Sequence, residues 1–316
     1  MKSIALATLF SIAAAAGCGG DGPSNPGDPD AAGPPIDAEV PAGYTRLVGR
    51  TWSLAAGQSD TYKCVRMTMT QDVYITGFRA QAPQGTHHTV LSIANTSSTM
   101  GPDGEYDCAV GTLGLKMLYA SGVGTAEYNF PDGVGIKVSA GEQVHLNLHL
   151  YNASDEPLTG DSAILIKTVP AEPATLAEFV FAGRFLFNIP ANSTRVVTGG
   201  CTIAAGRNYQ LFAVWPHMHQ IATHQKVSLI RPSGTTVLHD APFDFGDQLF
   251  SEITPLEPLV GGDRIQVECT YVNNTDRTIG FGDSSDTEMC FTGLYRYPAT
   301  GSNLFECTDN PNGIGL

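Results

Sequence analysis

The sequence predicts an all-β protein, a sandwich or a barrel, on three observations. Val, Thr, Tyr and Ile recur in short runs with an alternating pattern. Those runs are separated by Gly, Pro, Asn and Asp, with 35 glycines and 20 prolines among 316 residues. Long helical periodicity is hard to find, so a helical layer has little to be built from. The length suits about two domains. The formal net charge is −14, with only 17 Lys and Arg. An acidic chain without a basic stripe is a poor nucleic-acid binder, and this balance favours a soluble, extracytoplasmic protein.

The chain begins with Met1-Lys2 and an apolar run over residues 4–16, ending in Ala15-Ala16-Gly17-Cys18. The run is too short to span a membrane as a helix and reads as a secretory signal. Small residues ending on a cysteine are similar to a bacterial lipoprotein cleavage box, with Cys18 as the lipidated residue. Ala15 stands where Leu is usual, and ordinary signal-peptide cleavage nearby is the competing reading. Residues 19–43 are rich in Gly, Pro, Asp and Ala with little apolar bulk to bury, so they are expected to be a disordered tether. The expectation is an exported protein, periplasmic or on the cell surface, touching the membrane only through this anchor.

Six cysteines remain: Cys64, Cys108, Cys201, Cys269, Cys290 and Cys307. An even number in an exported chain implies three disulfides, and the absence of CxxC spacing argues against a cysteine-rich zinc site. Spacing alone leaves the connectivity open. Pairing within halves is the simplest arrangement, with Cys64 and Cys108 in the first.

Taken in order, residues 61–69 and 73–80 alternate as strands. Residues 85–93 form another and carry Thr86-His87-His88. Adjacent side chains on a regular strand point to opposite faces. Either one histidine is buried and one exposed, or both meet one ion at a strand end or twist, for which Pro83-Gln84-Gly85 provides an irregular entry. Residues 103–108 look polar and turn-like, and 111–124 are Gly-rich. Residues 143–152 are the cleanest strand. Val144, Leu146, Leu148 and Leu150 share a core face, and His145, Asn147, His149 and Tyr151 share the other, which is expected to look toward solvent or a cleft. His145 and His149 lie about 13 Å apart along a strand and cannot share an ion there.

A strand over residues 161–169 leads into Pro170-Ala171-Glu172-Pro173, which places a division between residues 44–170 and 171–316. Further strands are expected at 180–187, 194–201 and 208–214. The last runs into Val214-Trp215-Pro216-His217-Met218-His219. Histidines at i and i+2 on a strand share a face and make half of a transition-metal site, against the plainer reading of a polar face carrying two histidines. Residues 226–231 and 235–239 read as a hairpin and 264–271 as a strand. Polar residues 283–288 lead to Met289-Cys290-Phe291, where the plainer reading of Met289 is a core methionine beside a disulfide. His224 and His239 are expected at the surface or in supporting roles.

His87-His88, a His-bearing strand at His149, His217-Met218-His219 and Glu288-Met289-Cys290, in that order, resemble the copper type II, ascorbate-dependent monooxygenases. This group includes the dopamine β-monooxygenases and peptidylglycine α-hydroxylating monooxygenases. Asp60-Thr61-Tyr62-Lys63-Cys64 and Cys269-Thr270-Tyr271 add to the resemblance, which covers about residues 45 to 307. It implies two consecutive antiparallel β-sandwich, jelly-roll-like domains facing across an open cleft, with one copper on each. It implies that His87, His88 and His149 hold an electron-transfer copper. His217, His219 and Met289 would hold the copper where oxygen binds and a substrate C–H bond is attacked, and are the expected catalytic residues. Imidazole serves both copper states, while thioether favours Cu(I). It further implies the disulfides Cys64–Cys108, Cys201–Cys307 and Cys269–Cys290.

One departure bears on the substrate. Where the peptide-amidating branch holds a carboxylate, this chain has Trp215, Phe291 and Gly293. The reading is therefore a monooxygenase that hydroxylates a small, aromatic or apolar molecule with O2 and ascorbate or another one-electron reductant, using two coppers per chain. A copper-binding surface lipoprotein without turnover is the alternative. A carbohydrate- or protein-binding double sandwich with incidental histidines is a third.

Overall fold

In a computed structural model, the described residues are 40–58, 60–94, 100–109, 115–123 and 127–310. The expected signal peptide, Cys18 and the tether up to residue 39 lie outside them. The described chain is all-β, and no helix in it is long and apolar enough to cross a membrane.

The first part supplies β1 (Thr45–Leu54), β2 (Thr61–Thr68), β3 (Val73–Gln81), β4 (Thr86–Ala94), β5 (Gly104–Asp107), β6 (Leu115–Ser121), β7 (Tyr128–Asn129), β8 (Val134–Val138), β9 (Gln143–Leu150), β10 (Leu158–Val169) and β11 (Thr175–Leu176). One sheet has the order β1-β10-β3-β8-β11, with β7 also on β3; the facing sheet runs β5-β2-β9-β4-β6. Val144, Leu146, Leu148 and Leu150 of β9 are fully buried between them, as the alternation requires. β11 lies beyond the Pro170–Pro173 segment yet pairs in parallel with β8, so the chain leaves this sheet only after Leu176.

The second part supplies β12 (Glu178–Arg184), β13 (Asn188–Ile189), β14 (Ser193–Thr202), β15 (Asn208–His217), β16 (Ala222–Arg231), β17 (Gly234–Pro242), β18 (Ser251–Val260), β19 (Arg264–Asn273), β20 (Ile279–Gly280), β21 (Cys290–Tyr297) and β22 (Cys307–Thr308). Its sheets are β18-β15-β21-β12-β22 and β14-β19-β16-β17, with a small β13-β20 pair. Disulfides join Cys64 to Cys108, Cys201 to Cys307 and Cys269 to Cys290, the pairing the resemblance implied.

Alternation along β12, β15 and β21 serves two cores at once. Val180, Ala182, Leu211, Val214 and Leu294 face the second part's own interior. Phe179, Phe181, Phe212, Trp215, Phe291 and Tyr295 face the other way and join the first part's core. Phe130 packs on Phe212 at 5.3 Å and Tyr128 on Tyr295 at 5.4 Å between ring centroids. The buried Tyr295 hydroxyl donates to the Leu118 carbonyl at 2.7 Å. The two parts thus meet through a continuous aromatic layer. The polar face of β9 looks toward a cleft or solvent in part, since Asn147 and His149 line a cavity and Tyr151 just beyond the strand is exposed. His145 is buried instead, its Nε2 bonded to the Tyr106 hydroxyl, and residues of the second part stand over Asn147 and His149.

Candidate metal centre

β4 and β9 place three imidazoles side by side. The pairing of β4 with β9 slips between Thr86 and His88, which lets two adjacent histidines turn to one side. Their Nδ1 atoms approach to 2.9 Å, and His88 stands opposite His149 in register. One ligand atom from each of His87, His88 and His149 lies within 4.8 Å of the others.

Neighbours fix which nitrogens are free. The His149 Nε2–H donates to Asp60 Oδ1 at 3.1 Å, leaving Nδ1 with its lone pair. Tyr62 stacks flat on the same ring at 4.7 Å. Burial keeps all three rings neutral. It lowers His87 to about 4, holds His88 well below its ordinary value, and lowers His149 against the opposing pull of Asp60. Neutral imidazoles gathered within a few ångströms, with the Asp60 carboxylate bonded to Nε2 of His149, form a donor set that fits a transition-metal ion.

Across from this cluster, β15 ends at His217 and the chain turns through His219, with 5.4 Å between the two ring centroids. His217 Nδ1–H donates to Gln248 Oε1 at 2.7 Å, and His219 Nδ1–H donates to the Thr287 carbonyl at 3.0 Å. Both rings therefore keep Nε2 as their free lone pair. Burial lowers them to about 4 and about 3. The Glu288 carboxylate accepts the backbone N–H of His219 at 2.8 Å and of Ile221 at 2.9 Å, tying that turn to the segment that presents Met289. Tyr271 donates to the Met289 carbonyl at 2.6 Å, and Cys269–Cys290 joins β19 to β21 beside it. Burial raises the Glu288 carboxyl to about 7 against the pull of the backbone N–H groups it accepts from.

His217, His219 and Met289 line the same cavity of about 110 Å³ as His88 and His149. Trp215 and Phe291 line it too, with Phe181, Leu304 and Phe305. Trp215 stacks on His217 at 4.9 Å and anchors its Nε1–H on the Gln248 carbonyl. A side chain at Gly293 would strike the Phe179 ring, so β21 and β12 pack closely there only because that position is glycine. Among the described residues, no Lys or Arg lines the cavity.

The sequence reading missed the segment between β17 and β18. It reaches from the second part onto the first cluster. Phe245 lies 5.1 Å from His87 and 4.9 Å from His88 between ring centroids, and Gln248 stands between His88 and His217. An ordinary polar loop gave no signal of this; Asp60 at least lies in a motif the resemblance used. His145 is outside the cluster, with Nε2 bonded to Tyr106 at 2.9 Å. His224 pairs with Asp240 and His239 with Ser251.

Residues 180–312 match the family model described as copper type II ascorbate-dependent monooxygenase, C-terminal domain. A Homo sapiens protein provisionally named DBH-like monooxygenase protein 2 is 25% identical over 251 residues, covering 72% of this chain and 50% of its own length. The chain thus spans about half the length of that curated relative. Among solved structures, the major capsid protein P2 from bacteriophage PM2 aligns at a TM-score of 0.31 and 9% identity, covering 79% of this chain and 96% of that one. A fucolectin from Morone saxatilis (striped bass) serum aligns at 0.18 and 9%, covering 78% and 84%. Overlaps this loose carry no argument.

Proposed function

We propose that this protein is a copper-dependent monooxygenase that hydroxylates a C–H bond of a small apolar or aromatic molecule. One observation carries the proposal: a three-imidazole cluster sends two of its rings, His88 and His149, into the cavity that His217, His219 and Met289 also line. The match of residues 180–312 to a copper monooxygenase domain supports it.

His87, His88 and His149 would hold one copper for electron transfer, and His217, His219 and Met289 a second for oxygen chemistry. Copper there would supply one-electron redox steps and the activation of O2. Overall, one oxygen atom enters the C–H bond and the other leaves as water, with two electrons from ascorbate or a similar donor and two protons. The chain's residues do the rest. Asp60, Gln248 and Thr287 hold three rings in the tautomers that free one nitrogen each. Glu288 and Tyr271 fix the backbone that carries His219 and Met289. Trp215, Phe181, Phe291 and Phe305 form an apolar wall that favours a substrate without a carboxylate. The protein would work outside the cytoplasm, tethered through Cys18, without nucleic-acid partners.

The test is copper content after reconstitution, followed by oxygen uptake with ascorbate and a panel of small aromatics, products being read by mass spectrometry for one added oxygen. Two coppers per chain and an oxygenated product are expected. Two coppers without turnover on any substrate would favour the alternative, a copper-binding surface lipoprotein. A ratio well below two counts against paired centres. Met289→Ala should abolish hydroxylation and leave the first copper bound; unchanged turnover would overturn the role of Met289.

A further inference from the structure

Gln248 is almost wholly buried between the two histidine sets. Its Oε1 lies 2.7 Å from His217 Nδ1. Its Nε2 lies 2.9 Å from His88 Nε2 and 2.9 Å from the Phe245 carbonyl. An amide has one accepting oxygen and one donating nitrogen, and a neutral imidazole carries its proton on one nitrogen only. As the bonds stand, His217 carries it on Nδ1 and gives it to Gln248. His88 must then accept the amide N–H at a bare Nε2 and keep its own proton on Nδ1, the atom 2.9 Å from His87 Nδ1.

This arrangement frees the second set and blocks the first. A cation held by His88 Nδ1 needs the lone pair there, which moves the proton to Nε2 and sets N–H against N–H at Gln248. Turning the amide over satisfies His88 but points its NH2 at His217 Nδ1. The His217 proton must then move to Nε2, and the second set loses a ligand. The Phe245 carbonyl, 3.2 Å from His88 Nε2, offers only a longer bond. Water has little room to intervene, since Gln248 is buried.

We infer that Gln248 couples the two centres, so that filling one weakens metal binding at the other. The inference rests on the copper reading above. Leaving one buried donor unsatisfied costs about 1–3 kcal/mol, which corresponds to a shortfall of about 5- to 150-fold in the joint binding constant.

Cu(II) binding is measured by calorimetry on the apo chain and on two single-centre variants, His149→Ala and His219→Ala, neither of which removes a partner of Gln248. In the native background, the two-site constant should fall below the product of the single-site constants by about tenfold or more. In Gln248→Glu, a carboxylate accepts both N–H groups, and the shortfall should vanish with both metals retained. In Gln248→Leu it should also vanish, with weaker binding overall. A merely structural role would make both variants worse, without rescue by Glu. Equality in the native background overturns the coupling. A shortfall that persists in Gln248→Glu overturns its assignment to this residue. A chain that binds no copper overturns the copper reading itself.

Discussion

At the scale of single residues, the site depends on protons placed by neighbours. Asp60 has a left-handed backbone, with φ of 45°, and sends its carboxylate to His149. Removing such an outer partner typically lowers metal affinity about 10- to 100-fold. Asp60→Ala should weaken copper at the first centre by that amount and leave the second unchanged, as resolved by titration of each centre. His145 shows the cost of burying imidazole away from a metal. Burial, with Arg66 nearby, pushes it down to about 4 from 6.5. The folded chain therefore keeps it neutral while the unfolded chain takes a proton below 6.5. Its contribution is present above that value and lost as pH falls toward 4. Between pH 7 and pH 5 the native chain should lose about 2 kcal/mol on this account. Glu288 acts in the opposite direction, since its raised carboxyl holds a proton that the unfolded chain releases as pH rises from 4.5 through about 7. Urea unfolding of His145→Gln at both pH values isolates the histidine: its pH-induced loss should be smaller than the native chain's, and an equal loss would reject the assignment.

At the scale of elements, the strands that the alternating pattern revealed are mostly the paired, core-facing ones, such as β9, β15 and β19. The longer strands it missed, β1, β5, β6 and β18, all lie at sheet edges. An edge strand tolerates glycine, charge and proline because half its backbone groups need no partner. β18 carries Pro255 and Pro258, and β6 follows a Gly-rich stretch. The segment over residues 243–250 depends on a second edge feature. A Cβ at Gly122, just after β6, would come within 2.6 Å of the Gly246 carbonyl. Gly122→Val should therefore lift that segment from the first part and shift Trp215 emission, because the Trp215 indole is bonded to Gln248. Unchanged emission and unchanged copper binding would show that the contact is dispensable.

At the scale of the molecule, the aromatic layer decides how far apart the histidine sets sit. The Tyr295 hydroxyl is a buried tie between the parts. Tyr295→Phe removes it and leaves the Leu118 carbonyl unpaired, at a cost of about 1–3 kcal/mol. Denaturant unfolding should show that loss with the disulfides intact, and hydrogen exchange should rise along both sides of the layer. A change confined to β21 would mean that the two parts do not depend on each other there.

The sequence by itself determined the all-β class, the inward run of β9, and which residue types carry the chemistry, because side-chain period and ligand type are local properties. Through the family resemblance it also offered Trp215 and Phe291 as neighbours of one wall. Only the tertiary structure decided that β4 slips at His87, so that two adjacent histidines share a side. Only the tertiary structure placed Gln248 between His88 and His217. Both depend on pairings across 60 or more positions of the chain. A pattern read along the chain has no access to such contacts, since they form only when sheets pack and expel water from between them.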